Sequence, residues 1–115
     1  MTRLHRIPVA VGLAAAVALA GHSALSTAAS TRTITVKDDV FAPKKARVAK
    51  NTLVTWRWAP DSNAHDVVSR GTKRFKSSTI KSSGVHRYRF RKAGTYRYVC
   101  TPHEAQGMTG QIVVR

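Results

Sequence analysis

The sequence predicts an all-β domain, a β-sandwich or small barrel of seven to eight short strands. Three observations lead there. Beyond residue 30 no window sustains a helical apolar period. Apolar and polar residues instead alternate with period two over short runs. Turn-forming residues punctuate these runs about every 8–12 positions, the spacing of sandwiches and barrels.

The elements follow in order. Arg32–Lys37 alternates, with Ile34 and Val36 on one face. Asp38-Asp39 reads as a turn, and Ala46 and Val48 mark a brief second segment. After the turn at Lys50-Asn51, Thr52–Trp58 puts Val54, Trp56 and Trp58 on one face and Thr55 and Arg57 on the other. Pro60-Asp61-Ser62-Asn63 breaks the chain before a short run at Ala64–Ser69. Arg70–Lys81 is basic and Ser-rich, and is expected to be a loop or irregular edge. Val85–Phe90 sets Tyr88 and Phe90 opposite Arg87 and Arg89. Gly94–Cys100 sets Tyr96, Tyr98 and Cys100 opposite Arg97 and Val99. Met108–Arg115 is the last strand, ending in Ile112-Val113-Val114. The bases sit mainly at outward positions, so much of the charge is a solvated surface.

The chain has 115 residues, room for one domain. Residues 1–29 differ from the rest. Arg3 and Arg6 precede an Ala-rich apolar run, Ile7–Gly21, and small residues follow through Ser26-Thr27-Ala28-Ala29-Ser30. That layout is expected to be a secretory signal peptide cleaved near Ala28 or Ala29. An uncleaved anchor is the alternative, but the apolar run is short against the roughly 20 residues that span a bilayer. The domain proper is then 30–115, expected to be exported to the periplasm or the outside of a bacterial cell envelope.

Twenty Lys and Arg oppose five acids in the whole chain, and eighteen bases remain beyond residue 29. Such a field favours an acidic redox protein or an anionic envelope surface as partner and speeds encounter with it. A nucleic-acid module is disfavoured by the scattered charge and by export. A domain of this size has a marginal core and is commonly reinforced by a disulfide or a metal. Cys100 is the only cysteine, so an internal disulfide is excluded and the odd thiol needs another role.

That role is suggested by Cys100-Thr101-Pro102-His103 followed by Glu104-Ala105-Gln106-Gly107-Met108. A thiolate, an imidazole and a thioether occur on one loop that leaves one strand and starts the next. Pro102 fixes one φ and Gly107 frees another, so the loop can fold back and aim its donors at one point. A second imidazole would complete the set. Beyond residue 29 the histidines are His65, His86 and His103. His65 enters a strand from a loop, whereas His86 shares strand parity with Tyr88 and Phe90 and reads as a semi-buried sheet residue. Two imidazoles, a thiolate and a weak axial thioether suit copper in both oxidation states. Structural zinc is usually closed by paired Cys or His at short spacings, and Met is an uncommon ligand for it.

Thr95–Val114 resembles the copper loop and last strand of plastocyanins and related small bacterial cupredoxins. Phe41-Ala42-Pro43, Val54-Thr55-Trp56, His65-Asp66-Val67 and Phe75-Lys76-Ser77 resemble further segments of that family, in order. The resemblance implies a Greek-key β-sandwich with one type 1 copper on His65, Cys100, His103 and Met108. It also implies one-electron transfer between redox partners by a monomer. His103 would be the partly exposed ligand, within a docking patch of Pro102, Ala105 and Gly107. The backbone N–H of Asp66 would face the Cys100 sulfur. Two departures stand out: Asp66 occupies a position that is usually Asn, and Glu104 adds an acid to a patch that is usually apolar.

A copper carrier or scavenger is the second reading. Such sites are often Met- and His-rich, whereas this chain has only Met1 and Met108. An enzyme is not expected, because no spare His cluster, Ser-His-Asp set or paired carboxylates offer a second reaction centre.

Overall fold

The computed structural model describes Thr2 and residues 30–115, and the segment read as a signal peptide lies outside the described residues. Among the described residues there are eight strands: β1 Thr31–Lys37, β2 Val40–Ala42, β3 Lys45–Val48, β4 Thr52–Trp58, β5 Val68–Arg70, β6 Val85–Phe90, β7 Gly94–Val99 and β8 Thr109–Val114. A six-residue 3₁₀ segment, Thr101–Gln106, joins β7 to β8. The strands form two four-stranded sheets, ordered β2-β1-β4-β6 and β3-β8-β7-β5. The architecture is therefore a sandwich and not a closed barrel.

Each sheet has one parallel seam. β1 runs parallel to β4, and β3 runs parallel to β8; the remaining pairs are antiparallel. The inward faces follow the alternation read from the sequence. Ile34 and Val36 of β1 and Val54, Trp56 and Trp58 of β4 meet Tyr96 and Tyr98 of β7 and Ile112 and Val114 of β8. Trp56 is the centre of this layer. Its ring stacks on Phe75 (centroids 5.4 Å apart, planes 3° apart) and meets Tyr98 edge-on at 5.4 Å. Such aromatic pairs add about 0.5–1.5 kcal/mol beyond the area they bury. Arg32, Arg47, Arg57, Arg87 and Arg97 lie at exposed positions, as their parity requires.

Four features depart from the sequence reading. Val40–Ala42 is a strand, closing a hairpin with β1 across Asp38-Asp39. Thr55 is buried although it lies opposite the face of Val54 and Trp56, because β4 is an inner strand of its sheet. The run at Ala64–Ser69 is mostly not a strand. His65 makes an isolated bridge with Lys81, and regular pairing begins only at Val68. Finally, the irregular Arg70–Lys81 segment supplies a core residue, the buried Phe75. Its serines explain how it stays ordered without a ladder. The Ser78 and Ser77 hydroxyls accept from the N–H groups of Val67 and Ser69, and the Ser69 hydroxyl accepts from that of Phe75.

Candidate metal centre

Two segments bring the donors together at one end of the sandwich. The β4–β5 connection crosses from one sheet to the other and delivers His65. Its backbone is pinned by reciprocal bonds with Lys81, N–H to O at 3.0 Å in each direction. The β7–β8 connection delivers Cys100, His103 and Met108. Here the chain is tied to itself: the N–H of His103 donates to Cys100 O, that of Met108 to His103 O, and that of Cys100 to Met108 O. Gly107 closes the turn at φ 83°, the left-handed region that favours glycine, and its N–H donates to Glu104 O at 2.9 Å.

The donor atoms converge. Nδ1 of His65 lies 3.1 Å from Nδ1 of His103, and Cys100 Sγ lies 3.6 Å from the first and 3.4 Å from the second. The point equidistant from all three is about 2 Å from each, close to the metal–nitrogen bond length. Three lone-pair-bearing atoms aimed at one another repel unless a cation or proton lies between them, so this triangle fits a metal. His65, Cys100 and Met108 are fully buried, and the side chain of His103 is 22% exposed. Met108 is held beside the triangle by its backbone bonds to Cys100 and His103. The donor set, two imidazoles and a thiolate with a thioether adjacent, fits copper better than zinc.

Burial pushes the Cys100 thiol above its ordinary value, while the backbone N–H groups of Asp66 and His103 pull the other way. The Asp66 carboxylate is itself buried and accepts twice from Thr101, from the backbone N–H at 2.6 Å and from the hydroxyl. An ionised carboxylate satisfies both donors at once, which accounts for Asp at this position. It also places a negative charge one residue from each of two donors, favouring the more positive oxidation state of a bound metal. Asp66→Asn is therefore expected to raise the midpoint potential; equal midpoints in voltammetry of the two proteins would refute this.

His86 is not part of the centre. It is half-buried in β6, tilted on Trp56 at 5.6 Å, with Nε2 2.8 Å from Lys76 O. Burial lowers its pKa from the ordinary value, with nearby lysines adding to the effect and the Lys76 carbonyl opposing it. Pro102, Ala105 and Gly107 are all exposed around His103, and Glu104 faces away to Arg70, 3.6 Å from its guanidinium.

The sequence reading passed over Asp38 and Asp39 as turn residues. Asp38 Oδ1 lies 3.3 Å from His65 Nε2, and Asp39 Oδ1 lies 3.5 Å from His103 Nε2. The available signal was scarcity: two of only five acids stand side by side in a strongly basic chain.

A two-sheet sandwich that presents buried sulfur and nitrogen donors at one end defines the cupredoxin class of copper-binding proteins. The chain belongs to the plastocyanin/azurin family of copper binding proteins, which matches residues 28–115, and its cofactor is copper. It is 42% identical over 77 residues to a halocyanin of Natronomonas pharaonis, covering 64% of this chain and 47% of that protein. The chain thus spans about half the length of that curated relative. Among solved structures, the fold resembles plastocyanin from the fern Dryopteris crassirhizoma (TM-score 0.63, 20% identity, 72% of this chain, 99% of that one). It also resembles part of a copper-containing nitrite reductase from Thermus scotoductus (TM-score 0.64, 22% identity, 74% of this chain, 22% of that one).

Proposed function

We propose that this protein is an exported one-electron carrier, not an enzyme, with a type 1 copper held by His65, Cys100, His103 and Met108. The observation that carries the reading is the preformed Nδ1–Nδ1–Sγ triangle, closed by loop-internal hydrogen bonds and sealed from water on all but the His103 side. Copper supplies one-electron exchange between Cu(II) and Cu(I). The protein's part is to hold two imidazoles and a thiolate in one arrangement that serves both states, so that little ligand motion accompanies exchange.

His103 is the one proposed ligand that reaches the surface, and it gives electrons a short path in and out. The exposed Pro102, Ala105 and Gly107 frame the contact area around it. The surplus of bases supports steering toward an acidic redox protein or an anionic envelope surface. Export rests on the residue pattern of 1–29. No helix among the described residues is long and apolar enough to cross a membrane.

The test is an absorption spectrum of the purified protein before and after Cu(II), followed by ascorbate. An intense visible thiolate-to-copper band that bleaches on reduction and returns on reoxidation is the expected result. A colourless protein that binds only Cu(I) would overturn electron transfer in favour of copper handling.

A further inference from the structure

We propose that the β1–β2 turn, Asp38-Asp39, is a carboxylate clip that positions both imidazoles of the centre and biases it toward the oxidised metal. This rests on the copper reading above. The geometry is specific. β1 and β2 pair up to Lys37 and Val40, which leaves Asp38 and Asp39 as a two-residue link. Asp39 has φ 61°, a left-handed conformation that Asp and Asn tolerate better than most residues. The link directs two adjacent carboxylates at two rings that come from different parts of the chain. Asp38 reaches His65, and Asp39 reaches His103.

The rings need such partners. Both Nδ1 atoms face Cys100 Sγ, so each imidazole that gives its Nδ1 lone pair to a metal carries its proton on Nε2. For His65, which is fully buried, that N–H would be an unpaired donor without Asp38. Asp38 is in turn fixed by the Asn63 N–H at 2.9 Å, which ties the turn to the loop carrying His65. Asp39 lies 3.5 Å from His103 Nε2, a charge contact more than a strong hydrogen bond. A carboxylate behind a ligating imidazole orients the ring and increases its basicity. The added basicity and the negative charge favour Cu(II).

The experiment uses the copper-loaded protein and reads midpoint potential, the visible band and copper retention. Asp38→Asn and Asp39→Asn keep an acceptor, and Asn also tolerates the Asp39 backbone, so both remove charge while leaving the turn intact. Glu104→Gln is the control, because it removes the same charge beside His103 from a side chain that pairs with Arg70 and not with a ring. The double Asn variant is expected to stay blue. Its Cu(II)-to-Cu(I) affinity ratio should fall at least about tenfold, a rise of about 59 mV for one electron. Glu104→Gln should shift by less than half of that. Asp38→Ala, which also removes the acceptor, should lose Cu(II) about 10- to 100-fold more readily, the range for lost outer partners. A double Asn variant that is blue but shifts no more than Glu104→Gln would overturn the clip and leave the copper reading standing. A wild-type protein that never turns blue would overturn both.

Discussion

Replacing Cys100 by serine is expected to erase the visible band of the copper-loaded protein and to weaken copper retention by more than about 100-fold, beyond the range for losing an outer-sphere partner. Cys100 is fully buried, and its sulfur is the one soft anionic donor of the triangle. Serine has nearly the same shape, and its hydroxyl can bond to His65 or His103, so the sandwich should survive. Loss of colour with an unchanged circular dichroism spectrum would separate a ligand from a structural thiol. A serine variant that kept an intense band would remove Cys100 from the centre.

The second large effect concerns packing. Gly110→Ala is expected to cost about 3 kcal/mol, the upper end of the range for overpacking a dense core. Gly110 faces Tyr98 across the β7–β8 ladder, and a Cβ there would lie 2.3 Å from Tyr98 Cζ and 2.7 Å from Cε2. The ring has little room to retreat, being fully buried with Phe41 at 4.7 Å and Trp56 at 5.4 Å. Tyr98 also lies two residues before Cys100 on the strand that feeds the centre, so displacing it should disturb the copper spectrum as well. For a domain of this size the loss corresponds to a melting temperature lower by about 12–24 °C. A variant within a degree or two of wild type would show that the strands can separate at this point without penalty.

Local alternation made β4 and β6 legible to the residue, because each is a continuous period-two run between turn residues. It also placed Trp56, Tyr96 and Tyr98 inside. What it could not reach was long-range pairing. The parallel seams β1–β4 and β3–β8 leave no local mark, and β2 is only three residues long, below the length at which a period can be read. Phe75 sits in a basic, Ser-rich segment whose composition points outward, and only the serine-to-backbone bonds explain why it turns in. The candidate centre divides in the same way. Cys100, His103 and Met108 were legible from spacing on one loop. His65, 35 residues before Cys100, was chosen among three histidines by its position at a loop-to-strand entry and by family resemblance. Asp38 and Asp39 were read only as turn formers, because nothing in a turn signature says which distant rings it faces.

The backbone hydrogen bonds of the Cys100–Met108 segment run largely within it, and its outside polar contacts are Thr101 to Asp66, Glu104 to Arg70, His103 to Asp39, and Cys100 and His103 to His65. The segment therefore behaves as a cassette, anchored at the ends of β7 and β8 and tied to the rest of the sandwich through these few residues. Exposed positions such as Ala105 and Gln106 can change, retuning the rim around His103, without the sheets being rebuilt. A lineage of such proteins can diversify its contacts with other molecules by substitution within this one short stretch while inheriting the same scaffold unaltered.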